Sequence, residues 1–172
     1  MALSPVEKFF HKIVRDGDLE QLKKMLNSKD HNDEQLKKMV NSKDQEILQT
    51  TPLHKAARNG GGLEMVKILI QMGADIEAKD DNEANPFHYS VFYGKIHVAE
   101  YLIKKGADVH ALVRNGKTPL HCAATREGCI EIVKILLQNG ADIEAITNSK
   151  HVLPGSTPLM ACAEKNHYEC FE

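Results

Sequence analysis

Three stretches of the chain repeat one pattern of apolar and polar positions. Met65, Val66 and Leu69, then Val98, Tyr101 and Leu102, then Ile132, Val133 and Leu136 fall at the spacing of one helical face. Each stretch predicts a short amphipathic helix, and each runs into the same tripeptide. Gly73-Ala74-Asp75, Gly106-Ala107-Asp108 and Gly140-Ala141-Asp142 begin 33 and then 34 residues apart. A second marker keeps the same step. Thr51-Pro52-Leu53-His54 returns as Asn85-Pro86-Phe87-His88, Thr118-Pro119-Leu120-His121 and Thr157-Pro158-Leu159-Met160, with starts separated by 34, 33 and 39 positions. Two motifs sharing one period mark an internal repeat, and such a period specifies a stacked array.

Each unit has a physical reading. Thr or Asn before Pro fits a helix N-cap followed by proline in the first helical position, where its missing N–H costs nothing. The helix that follows carries small residues (Ala56-Ala57, Ala123-Ala124) that allow close stacking. Gly60-Gly61-Gly62, Gly94 and Gly128 are read as its end. A second helix with the apolar stripe ends at the Gly-Ala-Asp marker. The polar, turn-rich residues before the next Pro suit a projecting hairpin.

Thr-Pro-Leu-His-x-Ala-Ala, then Gly, then Val-x-x-Leu-Leu-x-x-Gly-Ala-Asp resembles the ankyrin repeat, closely over residues 51–172 and loosely over 5–50. The resemblance implies an all-α solenoid of helix–turn–helix units with projecting β-hairpin loops. The units are expected at 51–84, 85–117, 118–156 and, in part, 157–172, preceded by a degenerate capping repeat in 1–50. It also implies that Thr51, Pro52, His54, His88, Thr118, Pro119, His121, Gly73, Gly106 and Gly140 define the repeat rather than a site. Within it, the histidines are expected to tie neighbouring units together by hydrogen bonds.

The departures from the pattern are informative. Ser4-Pro5-Val6-Glu7 has the form of a capping box, with Phe9, Phe10, Ile13 and Val14 expected to pack on the next unit. Residues 20–30 recur at 34–44 with Leu26 replaced by Val40, which is read as a local duplication forming an extra helix or long loop. The alternative is a dedicated binding element. Glu83 stands where the family prefers glycine, so that hairpin's turn is expected to differ. The hairpin before Thr157 carries extra residues, 148–155, with His151, Val152 and Leu153 near its tip. The family pattern breaks off after residues 166–171, in the middle of a unit, and the expectation is a fragment of a longer array.

Composition narrows the function. With 42% hydrophobic and 27% charged residues the chain is that of a folded protein, and a net charge of −2 gives no basis for a nucleic-acid partner. Cys122, Cys129, Cys162 and Cys170 form no metal-ligand spacing and are expected to be small buried hydrophobes in a reducing compartment. No window approaches the roughly 20 apolar residues of a membrane span, and Glu7 and Lys8 interrupt the only apolar stretch near the N-terminus. A cytoplasmic or nuclear protein is expected, with no membrane insertion and no cofactor.

Candidate chemistry is sparse. His54, His88 and His121 recur at the repeat period and so form a row instead of converging on a metal. Asp75, Asp108 and Asp142 are expected to bond local backbone. The glycines at 60–62 follow no strand and lack the Lys-Ser/Thr of a phosphate loop. No catalytic signature is found, and no enzymatic role is expected. Removing the repeat-defining positions leaves the candidates for partner binding: Lys55, Arg58, Asn59, Tyr89, Phe92, Tyr93, Arg126 and Glu127 on first helices, and Asp81, Asn82, Arg114 and Asn115 on hairpins. Aromatics and arginine are enriched in interfaces, though Tyr89, Phe92 and Tyr93 could instead pack on a neighbouring unit. The acidic and basic hairpins suit a protein partner better than a phosphate backbone. Two functions remain: a monomeric, stand-alone protein-binding module, or the targeting part of a longer enzyme, toxin or channel.

Overall fold

The computed structural model describes residues 3–27, 32–59, 62–128, 130–147 and 155–167. Several sequence expectations lie outside them: Gly60 and Gly61, Cys129 and Cys170, residues 28–31 of the duplication, residues 148–154 of the long hairpin, and residues 168–171.

Ten helices are present among the described residues. In chain order they are α1 (Pro5–Asp16), α2 (Leu19–Asn27), α3 (Asp33–Val40), α4 (Pro52–Arg58), α5 (Gly62–Gln71), α6 (Pro86–Phe92), α7 (Ile96–Lys104), α8 (Pro119–Ala124), α9 (Ile130–Gln138) and α10 (Pro158–Glu164). Helices α1, α4, α6, α8 and α10 pack successively side by side as an inner row, and α5, α7 and α9 form an outer row. Each outer helix also packs on the inner helix of its own unit. One continuous core results, with Leu53, Phe87 and Leu120 of the inner row and Leu69, Leu102 and Leu136 of the outer row fully buried. Most predicted stripe positions are buried, whereas Tyr101 is only half-buried at the core edge. No unit could bury its own apolar face alone, which is why the stack folds as a whole.

The inner helices begin as the sequence predicts. Thr51, Asn85, Thr118 and Thr157 are extended N-cap residues, and proline follows each. After the first three of these the residue three positions on is a buried histidine, which bonds the hairpin leading to the next inner helix and not the next unit as expected; after Thr157 it is Met160, which is exposed. The Nδ1 atom of His54 accepts from the Thr51 N–H at 3.2 Å, while its Nε2–H donates at 3.0 Å to the carbonyl of Ala84, which closes the same unit just before Asn85. His88 reaches Ala111 O at 3.0 Å and His121 reaches Ser156 O at 2.9 Å in the same way. Burial lowers the pKa of all three imidazoles, that of His88 to about 4. They are neutral, as this donor-and-acceptor role requires.

The acidic markers also bond locally. Asp75, Asp108 and Asp142 each accept, through Oδ1, the N–H two residues ahead at 2.8–2.9 Å.

The hairpins are tight turns; the described residues form no strand beyond an isolated bridge between Asp44 and Thr50. The tips are linked from unit to unit, Asp81 N to Leu48 O at 2.9 Å and Arg114 N to Asn82 O at 2.7 Å. The expectation about Glu83 is corrected. Its turn matches that of the next hairpin, with Glu83 N bonded to Asp80 O as Gly116 N is to Val113 O. Glu83 takes the same left-handed backbone as Gly116, with φ of 62° against 73°, at the steric cost a Cβ imposes there.

Two further expectations change. Phe10, Ile13 and Val14 enter the core from α1, but Phe9 is 50% exposed on the opposite side. Gly62 opens α5 in a left-handed conformation instead of ending α4. The Ser4–Glu7 capping box is present.

Candidate functional site

The inner row and the hairpins in front of it leave two adjoining cavities, one on each side of the first hairpin. The larger, about 300 Å3, is walled by Lys8, Lys12 and Arg15 of α1, residues 44–46 and Lys55. The other, about 250 Å3, lies between the hairpin tips at Ile47, Leu48 and Asn82 and the side chains of Arg58, Tyr89, Phe92 and Tyr93. Lys55 and Arg58 are one turn apart on α4, so the two cavities share a floor.

The second cavity collects four of the eight predicted first-helix residues, Arg58, Tyr89, Phe92 and Tyr93. The Phe92 and Tyr93 rings meet edge to face with centroids 5.2 Å apart, and Phe92 is 51% exposed. The Arg58 guanidinium lies over the Tyr93 ring, 5.1 Å from its centroid, a favourable contact that also holds the charge at the cavity edge. Across the ring, the Arg126 guanidinium rests on Gly94; a Cβ at Gly94 would lie 2.5 Å from Arg126 Nη2. Glycine is favoured here by its φ of 62°, and a side chain in its place would displace the flexible end of Arg126. Arg58, Tyr93, Gly94 and Arg126 therefore form a line across three units.

Tyr89 and Lys55 belong to the frame. Tyr89 is half-buried, stacked edge-on against His54, and its hydroxyl donates to Asp80 Oδ2 at 2.8 Å. Burial, then the Asp80 carboxylate, raises the Tyr89 pKa far above the ordinary tyrosine value. The other Asp80 oxygen accepts from Asn82 N and Ala84 N at 2.8 and 2.9 Å, so one carboxylate fixes the second hairpin. Lys55 was expected at the binding surface; it is 7% exposed and paired with Asp44. Such a pair must stay closed, because burying either charge alone is costly.

Asn59 spans units through its amide, donating to Arg15 O at 2.7 Å. Glu127 is exposed at the end of α8, while Asp81, Asn82 and Arg114 are exposed at hairpin tips. Asn115 accepts from Lys117 N at 3.3 Å inside its own turn. Cys122 lines the second cavity; burial pushes its thiol up to about 11, so it is protonated and serves as a soft wall.

Sequence reasoning missed Ile47 and Leu48, exposed at 37% and 49% on the first hairpin. The repeat period carried the signal: these residues stand 34 positions before Asp81 and Asn82. It also missed α1, whose basic face walls the first cavity. His11 sits beneath that face, where burial lowers its pKa to about 4, helped by the charge of Lys55. Its Nε2–H donates to Ser42 Oγ at 2.9 Å, while Nδ1 is buried without a partner.

Among the described residues no three His, Cys, Asp or Glu side chains converge as a metal site would need. No helix among them is long and apolar enough to cross a membrane.

Comparison with known proteins accounts for this frame. The family model for ankyrin repeats (3 copies) matches residues 10–113, 61–147 and 110–172. Ankyrin repeat protein nuc-2 of Neurospora crassa is 29% identical over 159 residues, 91% of this chain and 14% of that protein. A Caenorhabditis elegans homologue of transient receptor potential cation channel subfamily A member 1 is 30% identical over 122 residues, 70% of this chain and 10% of the channel. The chain thus spans about a seventh or less of the length of these relatives. Ankyrin repeats are generally protein-interaction modules and typically not enzymes, and by its paired markers, its buried motif histidines and the family model that matches it, this chain belongs to the ankyrin-repeat family.

Proposed function

We propose that the chain is a non-enzymatic module that grips a partner protein between its inner helices and its hairpin tips. The supporting observation is the cluster of exposed Phe92 and Arg58 with half-buried Tyr93 and Arg126, held on and beside short inner helices and next to cross-tied hairpins. Rigid aromatic and arginine side chains are the groups that carry most of the energy in protein interfaces. A frame that does not reorganise keeps the entropy cost of docking low.

The test is affinity capture from cell extract with the native chain and a variant in which Arg58, Phe92, Tyr93 and Arg126 are all alanine. Circular dichroism first establishes that the variant is folded. Partners held by the native chain and lost by the variant support the reading. Partners held equally by both defeat it.

A second reading follows from the small share of each relative that the chain spans. On this view the module is the recognition part of a longer protein, and one relative is by name a cation channel. The capture experiment then identifies what that longer protein is directed to.

A further inference from the structure

The charge on the floor of the groove is not balanced. Among the described residues, Lys12, Arg58 and Arg126 have no carboxylate within salt-bridge distance, whereas the nearby acids are engaged. This holds for the acids beside the first cavity: Asp44 is held by Lys55, Glu46 stands 3.8 Å from Lys8, and Asp16 lies 3.0 Å from Arg15. Asp80 is occupied by Tyr89 and by backbone N–H groups. The unengaged acids around the second cavity, Asp81, Glu83 and Glu127, are exposed, the first two at a hairpin tip. The floor therefore presents a row of cations across the inner helices, beside an apolar recess bounded by Leu48, Phe92 and Tyr93.

The recess and the row are in register. Arg58 lines the recess, Arg126 rests on Gly94 next to Tyr93, and Lys12 walls the adjoining cavity with Lys55, one turn from Arg58. A free cation beside an apolar wall selects for an opposite charge next to an apolar side chain, and it penalises a basic partner by like-charge repulsion.

We propose that the groove takes an extended, acidic partner segment with a single apolar anchor. The anchor, a large aliphatic or aromatic side chain, fills the recess at Leu48, Phe92 and Tyr93. Carboxylates to either side of it meet Lys12, Arg58 and Arg126. Asp81 and Glu83 at the second tip turn acidic residues away from the hairpins and towards the floor. This inference rests on the groove reading above and adds the partner's chemistry to it.

The test is a selection of short random displayed peptides on the full chain, followed by fluorescence anisotropy of the enriched sequences as synthetic peptides. The expected sequences carry Asp or Glu flanking one large apolar residue. Their affinity is expected to fall roughly thirtyfold in Phe92→Ala/Tyr93→Ala, as loss of an interface hot spot does. It is expected to fall about tenfold in Lys12→Glu/Arg126→Glu and to weaken with added salt. Thermal melts of both variants guard against unfolding as the cause.

Enriched peptides that are basic or without charge bias overturn the inference, as does unchanged affinity in Lys12→Glu/Arg126→Glu, or no enrichment at all. If such unbiased peptides still depend on Phe92 and Tyr93, only the acidic character is lost and the groove reading stands. If enriched peptides are indifferent to Phe92 and Tyr93, both are wrong.

Discussion

Helices α2 and α3 are written with nearly the same residues, since 20–30 and 34–44 differ only where Leu26 becomes Val40. Their environments differ throughout. In α2 the buried side chain is Leu22, with Met25 and Leu26 half-covered; in α3 the corresponding Leu36 is half-covered, and Met39 and Val40 are buried. Helix α2 follows α1 through a left-handed Gly17 and packs against it. Helix α3 precedes the first hairpin and presents its C-terminal end to the end of α5, where Lys37 lies beside Gly73.

The tail of the second copy makes the contrast sharpest. Asn41 donates to Gly73 O at 2.9 Å and accepts from Asp75 N at 2.8 Å. Ser42 takes the His11 bond, Lys43 donates to Lys79 O at 2.7 Å, and Asp44 holds Lys55. Four consecutive polar residues thus join α1, α4 and the loop after α5. An amphipathic pattern specifies a helix, but the neighbours decide which of its turns is buried.

Substitutions in matched positions test the comparison. The largest effect is expected from Asp44→Ala, which strands the enclosed Lys55 charge and should cost about 4 kcal/mol in urea denaturation. A cost below about 1 kcal/mol would mean that the second copy does not hold the first repeat in place. Leu22→Ala should cost about 3 kcal/mol, and Leu36→Ala about 1 kcal/mol, because only the first leaves an enclosed cavity. Equal costs would erase the distinction between the copies.

Acid probes the joint between α1 and the second copy. The folded-state pKa of His11, about 4, lies below its ordinary 6.5, so between these values the unfolded chain binds more protons. Stability from this group is complete above pH 6.5 and is lost as pH falls towards 4. At about pH 4.5 the loss from His11 should reach about 2 kcal/mol. Replacement by Gln, which keeps a donor for Ser42, should remove that share of the pH dependence in parallel denaturation curves. An unchanged dependence would assign the acid sensitivity to His54, His88 and His121 instead.

The smallest effect concerns the matched asparagines. Asn41→Ala should cost about 1 kcal/mol for its bridge to Gly73 and Asp75, against less than about 0.5 kcal/mol for exposed Asn27→Ala. Thermal melts that rank the two the other way would contradict the observed docking of α3.

Much of the frame was readable from residues alone. Thr-Pro with histidine three residues on specifies an N-cap, a first helical proline and a buried imidazole that bonds the hairpin after it. Gly-Ala-Asp specifies a helix end and a carboxylate bonded two residues ahead. These are local geometries, repeated often enough to be unmistakable. The candidate site was less readable. Phe92 and Arg58 were found as variable positions, but Lys55 occupies an equally variable position and is enclosed, because Asp44 approaches it from a hairpin eleven residues earlier in the chain. Ile47 and Leu48 were hidden because the two-copy segment before them obscures the period.

The sequence by itself determined the repeat, its helices and the burial of the motif histidines, since each depends on residues within one period and on a neighbour built the same way. Only the tertiary structure decided which end of each duplicated helix is buried, that Glu83 adopts glycine's conformation, and that Lys12, Arg58 and Arg126 are left unpaired around an apolar recess. Those outcomes depend on which side chains from distant repeats arrive at the same place, and burial and charge pairing are settled there by distance in space, not along the chain.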